Sequence, residues 1–510
     1  MMAAMHRTDG WHLQALLEGW VSVPPEADRA VRGLTLDSRR VRDGDLFLAC
    51  SGGRDHGERY LDHALANGAA AVARETDGGE AAIEYREHQG RTVPIVPVPG
   101  LRAHAGELAA RLFGDPSRAL HTVGVTGTNG KTSITQFAAR ALAAGGRPCG
   151  VVGSLGAGLV GELHDIGHTT PDAVRLQEEL AGFRDAGAAW AVMEVSSHAL
   201  DQGRTGGVAF DTAVFTNIGR DHLDYHGDLD AYAAAKRRLL DWPDLGHAVL
   251  NLDDPVLYRW WQGLDGGPEA WGYSVEAPRP EDAGRPVFYA ADLRLDEGGL
   301  HFTVRGPDAT GTVDTRLLGR FNVGNLLATL AVLLRAGVPW DAALQRLSAL
   351  ETVPGRMEPF HAAGRPLVVV DYAHSPDALE AVLAALREHA SGRLWCVFGC
   401  GGDRDRGKRP LMGRAAERLA DYVVVTDDNP RGEDPYDIIE AIVTGLENPD
   451  GAYVVRDRRE AIERAVALAA PEDVVLVAGK GHESCQYIGD RCIPFNDRDE
   501  ARRVLGVGHD

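Results

Sequence analysis

Four short runs rich in β-branched residues recur in the last third of the chain, and each stops at a polar loop. "LVVV" precedes "DYAHSPD", "LWCVF" precedes "GCGGDRDRGKRP", "YVVV" precedes "TDDNPRGEDP", and "VVLVA" precedes "GKGHE". Helical patterns usually follow the loops. Strands alternating with helices predict a parallel, doubly wound sheet, so the fold class is α/β. In such sheets ligands bind beyond the carboxyl ends of the strands. All four loops are therefore expected along one edge, and the middle of the chain repeats the same grammar.

At 510 residues the chain is too long for one core, and about three domains are expected. A Pro-rich extended stretch followed by a helix, "VPIVPVPGLRAHAGELAARLFGDP", marks one junction, and "LETVPGRMEPF" marks another. The division falls near 100 and 353, giving segments 1–100, 101–353 and 354–510. No apolar run approaches the ~18 residues of a membrane span. The start, "MMAAMHRTDGWHLQALLEGW", lacks the pattern of a signal peptide. Six cysteines, at 50, 149, 396, 400, 485 and 492, form no zinc-type spacing and read as reduced thiols of a cytoplasmic protein. A net charge of −21 argues against nucleic-acid or anionic-membrane partners. An acidic chain that handles anions must gather its cations locally.

"VGVTGTNGKTS" does so. It follows an apparent strand and precedes the helical run "ITQFAARALAAG". Glycines at 124, 127 and 130 let backbone amides approach phosphate oxygens, Lys131 neutralises them, and Thr132 can ligate magnesium. The strict phosphate-loop pattern wants Gly at 125, where this chain has Val. Glu194 in "VMEVSSHAL" and His222 in "TNIGRDHLDYHGD" each end an apolar run. Either alone reads as a satisfied buried side chain; with Thr132 they make an oxygen and nitrogen set for a Mg-nucleotide. In "LDAYAAAKRRLLDW", Tyr232, Lys236, Leu239 and Leu240 share helical spacing, which puts Lys236 on an apolar stripe. Two readings stay open there: an ammonium snorkelling to water, or a buried neutral amine able to react with carbon dioxide.

These motifs, with "LDSRRVRDGDLFLAC", "HTTPDA", "EVSSHALDQGR", "GRFNVGNLLATLA", "VPGRMEPF", "DYAHSPDAL" and "GKGHE", occur in the order of the Mur ligases of peptidoglycan synthesis, and the chain resembles that family over nearly its whole length. The likeness is to the branch that adds 2,6-diaminopimelate. It implies an N-terminal UDP-muramoyl-binding domain, a P-loop-type central ATPase domain and a Rossmann-like C-terminal amino-acid-binding domain. Leu36, Ser38 and the turn Gly53, Arg54, Asp55 would hold the UDP portion. Thr169, Thr170, Ser196, Gln202 and Arg204 would hold the muramoyl-dipeptide. Gly127, Thr128, Asn129, Gly130, Lys131, Thr132 and Ser133 would cradle the ATP phosphates, with Asn325 at the adenine and Arg356 and Asp371 nearby. Thr132, Glu194 and His222 would serve Mg2+, and Lys236 would be the family's carbamylated lysine. Lys131, His222 and Lys236 are the expected catalytic groups. The implied reaction joins meso-2,6-diaminopimelate to the D-Glu γ-carboxylate of UDP-MurNAc-L-Ala-D-Glu through an acyl phosphate, by a cytoplasmic monomer. The LL isomer, L-lysine and a folylpolyglutamate synthase-like reaction are the alternatives.

"TDDNPRGEDP" sets Arg431 among acidic side chains. As a turn, the loop would leave its arginine solvated. As a binding loop, Arg431 would grip a substrate carboxylate with two parallel hydrogen bonds. The resemblance places Asp428, Asn429, Pro430 and Arg431 at the diaminopimelate pocket, with Arg409, Gly479 and Glu483 from neighbouring strand ends. Asp427, Glu433 and Asp434 are expected to be solvated.

Overall fold

The computed structural model describes residues 10–51, 56–78, 82–277, 282, 284–296 and 299–508. Gly53, Arg54 and Asp55 lie outside the described residues. Three large sheets follow one another along the chain, beside two small two-stranded ones. In the first, strands Gly33–Thr35, Asp45–Ala49, Ala71–Thr76 and Arg91–Pro99 run parallel in that order, and Glu84–His88 closes the edge antiparallel. The helix Leu101–Phe113 lays Leu101, Ala105, Leu108 and Ala109 into the same core as Leu46, Leu48, Ala71 and Val96. Its Gly106 passes so close to the central segment that a Cβ there would sit 2.1 Å from the Gly206 carbonyl oxygen.

The second sheet has 11 strands. Its parallel heart runs Cys149–Gly153, Trp190–Glu194, His121–Thr126, Thr212–Phe215, His247–Asn251, Glu269–Ser274, with Val287–Asp296 joining parallel at its start. Antiparallel hairpins flank it on both sides. The chain leaves His121–Thr126 through the glycine loop into the helix Lys131–Ala143 and returns two places away, at Cys149–Gly153. The strand order therefore reverses beside that loop, which is where open α/β sheets form a ligand crevice.

The third sheet orders its strands Glu358–Phe360, Leu367–Asp371, Val474–Ala478, Leu394–Phe398, Tyr422–Val425, Tyr453–Val454, all parallel except the first. The four apolar runs are its centre. They lack polar alternation because successive side chains enter opposite cores: Val369, Cys396, Phe398 and Leu476 one, and Val370, Trp395, Val397 and Val477 the other. Asp371 pairs with Ala478, and Phe398 with Val425, so the four polar loops leave along one edge as expected.

The cysteine reading needs correction. Cys485 and Cys492 form a disulfide across the hairpin strands Cys485–Ile488 and Arg491–Pro494, while Cys50, Cys149, Cys396 and Cys400 are free. Spacing alone gave no sign of it; the cysteines meet only because the hairpin register sets Cys492 opposite Tyr487. Among the described residues, no helix is long and apolar enough to cross a membrane.

Candidate active site between the central and last sheets

The loop after His121–Thr126 needs its glycines. Gly127 (φ 147°) and Gly130 (φ 84°) lie where side chains are strained, and a Cβ on Gly127 would meet Thr216 Oγ1 at 1.8 Å. Lys131 starts the helix and folds back, donating to the Gly127 and Thr128 carbonyls at 2.9 Å each. Its amine pKa is lowered, chiefly by burial. The next residue, Thr132, donates from Oγ1 to Glu194 Oε2 at 3.1 Å. Glu194 is also held by the Ser154 backbone N–H at 2.8 Å, and Ser154 Oγ lies 3.0 Å from Thr169 Oγ1.

Lys236 does not snorkel. Its side chain is 1% exposed, its Nζ donates to the Gly127 carbonyl at 2.8 Å, and it lies 4.5 Å above the Tyr232 ring. Burial, reinforced by Lys131, holds its pKa well below the usual lysine value. The same helix sets Tyr232 Oη 3.1 Å from Thr128 Oγ1, tying Lys236 to the phosphate loop. His222 takes a left-handed backbone (φ 53°), and its ring meets His198 edge-on at 4.7 Å. Burial lowers the pKa of both imidazoles, that of His198 to about 4.

Four of the residues expected at the muramoyl-dipeptide, Thr170, Ser196, Gln202 and Arg204, form one network, with Thr169 bonded to Ser154 beside it. Arg204 grips Gln202 Oε1 through Nε (2.9 Å) and Nη2 (2.6 Å), and donates to the Thr170 carbonyl at 3.0 Å. Thr170 Oγ1 in turn accepts from the Ser196 N–H at 3.2 Å. In the first domain, Ser38 Oγ lies 3.0 Å from His63 Nδ1, and Leu36 packs against that domain's core.

From the last domain, Arg356 reaches over the Tyr372 ring (4.4 Å) and donates to Thr132 Oγ1 at 3.3 Å. Asp371 is buried, which raises its pKa, and accepts the backbone N–H groups of Met357 and Ala373 at 2.7 Å each. Asn325 stands beside Gly130 with its amide on Asn322 Oδ1. A cavity of about 770 Å³ is lined jointly by the loop 128–133, Glu194, His222, Lys236, Asn325, Arg356 and Asp371. At the junction near 354, Gly355 (φ 67°) leaves 2.3 Å between a would-be Cβ and the His482 backbone nitrogen.

The "DNPR" loop is no free turn. Arg431 adopts a left-handed backbone (φ 51°), its N–H donates to the Tyr487 carbonyl at 3.0 Å, and its carbonyl accepts from Gly489 at 2.7 Å. Its guanidinium donates to the Gly402 carbonyl at 2.9 Å and, among the described residues, forms no ion pair. Of the acids expected to be solvated, Glu433 and Asp427 are engaged by arginines, while Asp434 is exposed as expected. Glu433 receives both arms of the buried Arg409, at 2.9 and 3.1 Å, and Asp427 accepts from Arg456 at 3.0 Å. Asp434 caps the helix Pro435–Val443. Arg409 thus braces the loop from behind. Gly479 makes room for Asp428, whose Oδ2 would lie 2.6 Å from a Cβ. Sequence reasoning missed Ser154, Tyr372, His482 and Lys480; the last two lie inside the quoted "GKGHE" but carry no motif meaning by themselves.

Comparison with known proteins agrees with this geometry. Residues 30–112, 125–333 and 355–481 match the family models described as Mur ligase family catalytic domain, Mur ligase middle domain and Mur ligase glutamate ligase domain. The UDP-N-acetylmuramoyl-L-alanyl-D-glutamate–2,6-diaminopimelate ligase of Alkalilimnicola ehrlichii is 51% identical over 497 residues, covering 97% of this chain and 98% of that protein. A solved structure of a ligase with that same description aligns with TM-score 0.69 at 37% identity over 98% of this chain and 99% of that one. A Mycobacterium tuberculosis folylpolyglutamate synthase aligns over 79% of this chain and 95% of its own at TM-score 0.60 and 22% identity, a likeness of fold alone. With its loops, its cleft and its full length all accounted for in one pattern, the chain belongs to the Mur ligase family.

Proposed function

We propose that this ligase joins 2,6-diaminopimelate to the D-Glu γ-carboxylate of UDP-N-acetylmuramoyl-L-alanyl-D-glutamate, driven by ATP, in the supply of peptidoglycan precursors. One observation carries the reading: a single cavity is lined from the central domain by Lys131, Glu194, His222 and Lys236 and from the last domain by Arg356 and Asp371. Two anions must meet there, the carboxylate and the γ-phosphate. Lys131 and the amides of 127–133 offset their repulsion, and Arg356 brings a second cation from across the cleft. The carboxylate attacks the γ-phosphorus and ADP leaves; the amine then attacks the acyl phosphate and phosphate leaves. Water must stay out of the cleft in between, which fits closure about Pro354-Gly355.

Thr132, Glu194 and His222 offer Mg2+ a hydroxyl, a carboxylate and an imidazole, a partial set that suits an ion keeping waters and taking phosphate oxygens. Among the described residues no group of three or more His, Cys, Asp or Glu side chains is placed to hold a metal alone. The ion would supply positive charge where the two anions meet. Lys236, buried and favouring the neutral amine, fits carbamylation: the amine adds to carbon dioxide, loses a proton, and becomes an anion. The network of Thr170, Ser196, Gln202 and Arg204, with Thr169 beside it, fits the muramoyl-dipeptide, and Leu36 and Ser38 the uridine end. Asp428, Asn429, Pro430, Arg431, Gly479 and Glu483 fit the incoming amino acid, with Arg409 as their brace. With this function go a monomeric enzyme and the cytoplasm, where nucleotide-linked precursors of this kind are joined. The test is release of ADP and phosphate that requires both UDP-MurNAc-L-Ala-D-Glu and an amino acid, with meso-diaminopimelate, LL-diaminopimelate and lysine in competition. ATP turnover indifferent to the acceptor would overturn the reading.

A further inference from the structure

Lys480 lies in the loop after Val474–Ala478 and is 0% exposed. Its ammonium has three N–H donors and finds three acceptors: Asn429 Oδ1 at 2.9 Å, Glu483 Oε2 at 2.7 Å and the Cys485 carbonyl at 2.6 Å. Asn429 Oδ1 also accepts the Tyr487 N–H at 3.0 Å, so its Nδ2 turns to Glu483 Oε2 at 2.8 Å. Flipping that amide would set its donors against Lys480 and against the Tyr487 N–H. Lys480 and the Tyr487 N–H therefore fix Asn429 together, and Lys480 and Asn429 Nδ2 hold Glu483 Oε2, leaving Glu483 Oε1 without a hydrogen bond among the described residues.

Cations around the loop meet carboxylates. Arg409 meets Glu433 at 2.9 Å, with the largely exposed Arg406 on the same carboxylate at 3.1 Å; Arg458 meets Asp497 at 2.7 Å, Arg456 meets Asp427 at 3.0 Å, and Lys480 meets Glu483 at 2.7 Å. Arg431 and Asp428 remain, one cation and one anion with no ion pair among the described residues. A pocket balanced in this way suits a ligand end that is itself a zwitterion. The distal end of diaminopimelate carries a carboxylate and an ammonium; the distal end of lysine carries an ammonium alone.

We propose that Lys480 is the positioning residue that sets both the geometry and the net charge of the amino-acid site, and so its preference for a distal zwitterion over a distal cation. This rests on the assignment of that site to diaminopimelate. Without Lys480 the site gains one net negative charge, and Asn429 Oδ1 loses one of its two donors, keeping only the Tyr487 N–H. Lysine then gains where diaminopimelate loses, because specificity is a difference of two affinities.

Lys480→Met keeps the side chain's bulk and removes its charge. Its Michaelis constant for diaminopimelate should rise about tenfold to hundredfold, the scale of lost charge-assisted hydrogen bonds. Those for ATP and UDP-MurNAc-L-Ala-D-Glu should stay within about twofold of wild type, and the diaminopimelate-to-lysine preference should fall. Adding Glu483→Gln to Lys480→Met restores the charge balance and should recover part of the preference. Equal changes in all three Michaelis constants with the preference unmoved would mean a merely structural lysine and overturn the proposal. Where Lys480→Met does not fold, Glu483→Gln alone decides: it leaves Lys480 uncompensated, so the preference against lysine must rise, and an unchanged or lower preference overturns the proposal. A wild-type enzyme that ignores diaminopimelate would instead overturn the functional reading.

Discussion

The two sides of the cleft are both built from loops at the carboxyl ends of parallel strands, yet they treat charge in opposite ways. On the central side, Lys131 and Lys236 are packed against backbone carbonyls without an ion pair among the described residues, and burial lowers the pKa of each. On the last-domain side, Arg409, Arg456, Arg458 and Lys480 are all matched to carboxylates. Neutralising a triphosphate needs a cation held in reserve, which is Lys131, while Lys236 is held toward the neutral amine. Telling one amino acid from another needs a quiet background against which a single mismatch is costly. The family places both demands in one cleft, and the sequence meets them with different wiring.

The largest effect expected is on the first side. Lys131→Ala should abolish ligation, since a charge-assisted phosphate contact contributes about 1.5–3 kcal/mol to binding and more in the transition state. Near-normal turnover would remove the phosphate loop from the mechanism and, with it, the contrast. Lys236→Ala should be almost as damaging, and short carboxylates in solution should partly restore it, because the proposed carbamate would act through its negative charge. A clear density map of the folded, active enzyme showing an unmodified Lys236 would sink that role.

On the second side the effect is selective. Arg431→Ala should raise the Michaelis constant for diaminopimelate strongly while those for ATP and the UDP-linked substrate move only a few-fold. A lysine substrate leaves Arg431 unpaired in the wild type, at about 2–5 kcal/mol, or roughly 30- to 5000-fold in preference. If the mutant keeps that preference, the loop only braces the fold.

What could be read in the sequence follows the same divide. The phosphate loop was legible because "TGTNGKTS" holds its chemistry within eight consecutive residues. The edge shared by the four last-domain loops was legible because strand, loop and helix recur locally. Lys236 showed as an anomaly of helical spacing, but its burial depends on Gly127 and Tyr232 being packed over it, and no periodicity reports that. The charge pairing of the last domain was illegible for the same reason. Glu433 looked solvated because its partner, Arg409, arrives from another strand end. The contact between Gly355 and His482 likewise joins residues far apart in the chain.

One imidazole on each side gives a smaller, shared test. Burial lowers the pKa of His198 in the central domain and His482 in the last, each from 6.5 to about 4. The unfolded chain binds these protons more readily than the folded one, so their stabilising contribution is complete above about pH 6.5 and is lost as pH falls toward about 4. Melting temperature should fall across that window, and His198→Asn and His482→Asn should each flatten the fall. A profile unchanged by either substitution would show that the imidazoles titrate as they do in water.

The smallest effect should come from the disulfide, and it separates the two sides most cleanly. The hairpin 485–494 holds the amino-acid loop at four points: Tyr487 N–H on Asn429 Oδ1, Arg431 N–H on the Tyr487 carbonyl, Gly489 N–H on the Arg431 carbonyl, and Gln486 Nε2 on the Asp428 carbonyl. Two of those bonds fix the backbone of Arg431, whose left-handed conformation a non-glycine residue adopts at a cost. Closing a loop this small constrains the unfolded hairpin by about 2.5 kcal/mol in the chain-entropy model. Backbone pairing already supplies part of that order, since Gln486 faces Ile493 and Ile488 faces Arg491. Cys492 is exposed, so a dithiol can reach it. Reduction, or Cys492→Ser, should therefore loosen the loop without unfolding the domain and raise the diaminopimelate Michaelis constant only about two- to fivefold. The ATP constant should not move, because no bond from the hairpin reaches Gly127–Ser133 among those described. Thiol titration should count four free cysteines before reduction and six after. Should reduction shift the ATP constant as far as that for diaminopimelate, the hairpin would belong to both sides of the cleft, and the division between a reserved and a balanced charge arrangement would have to be redrawn.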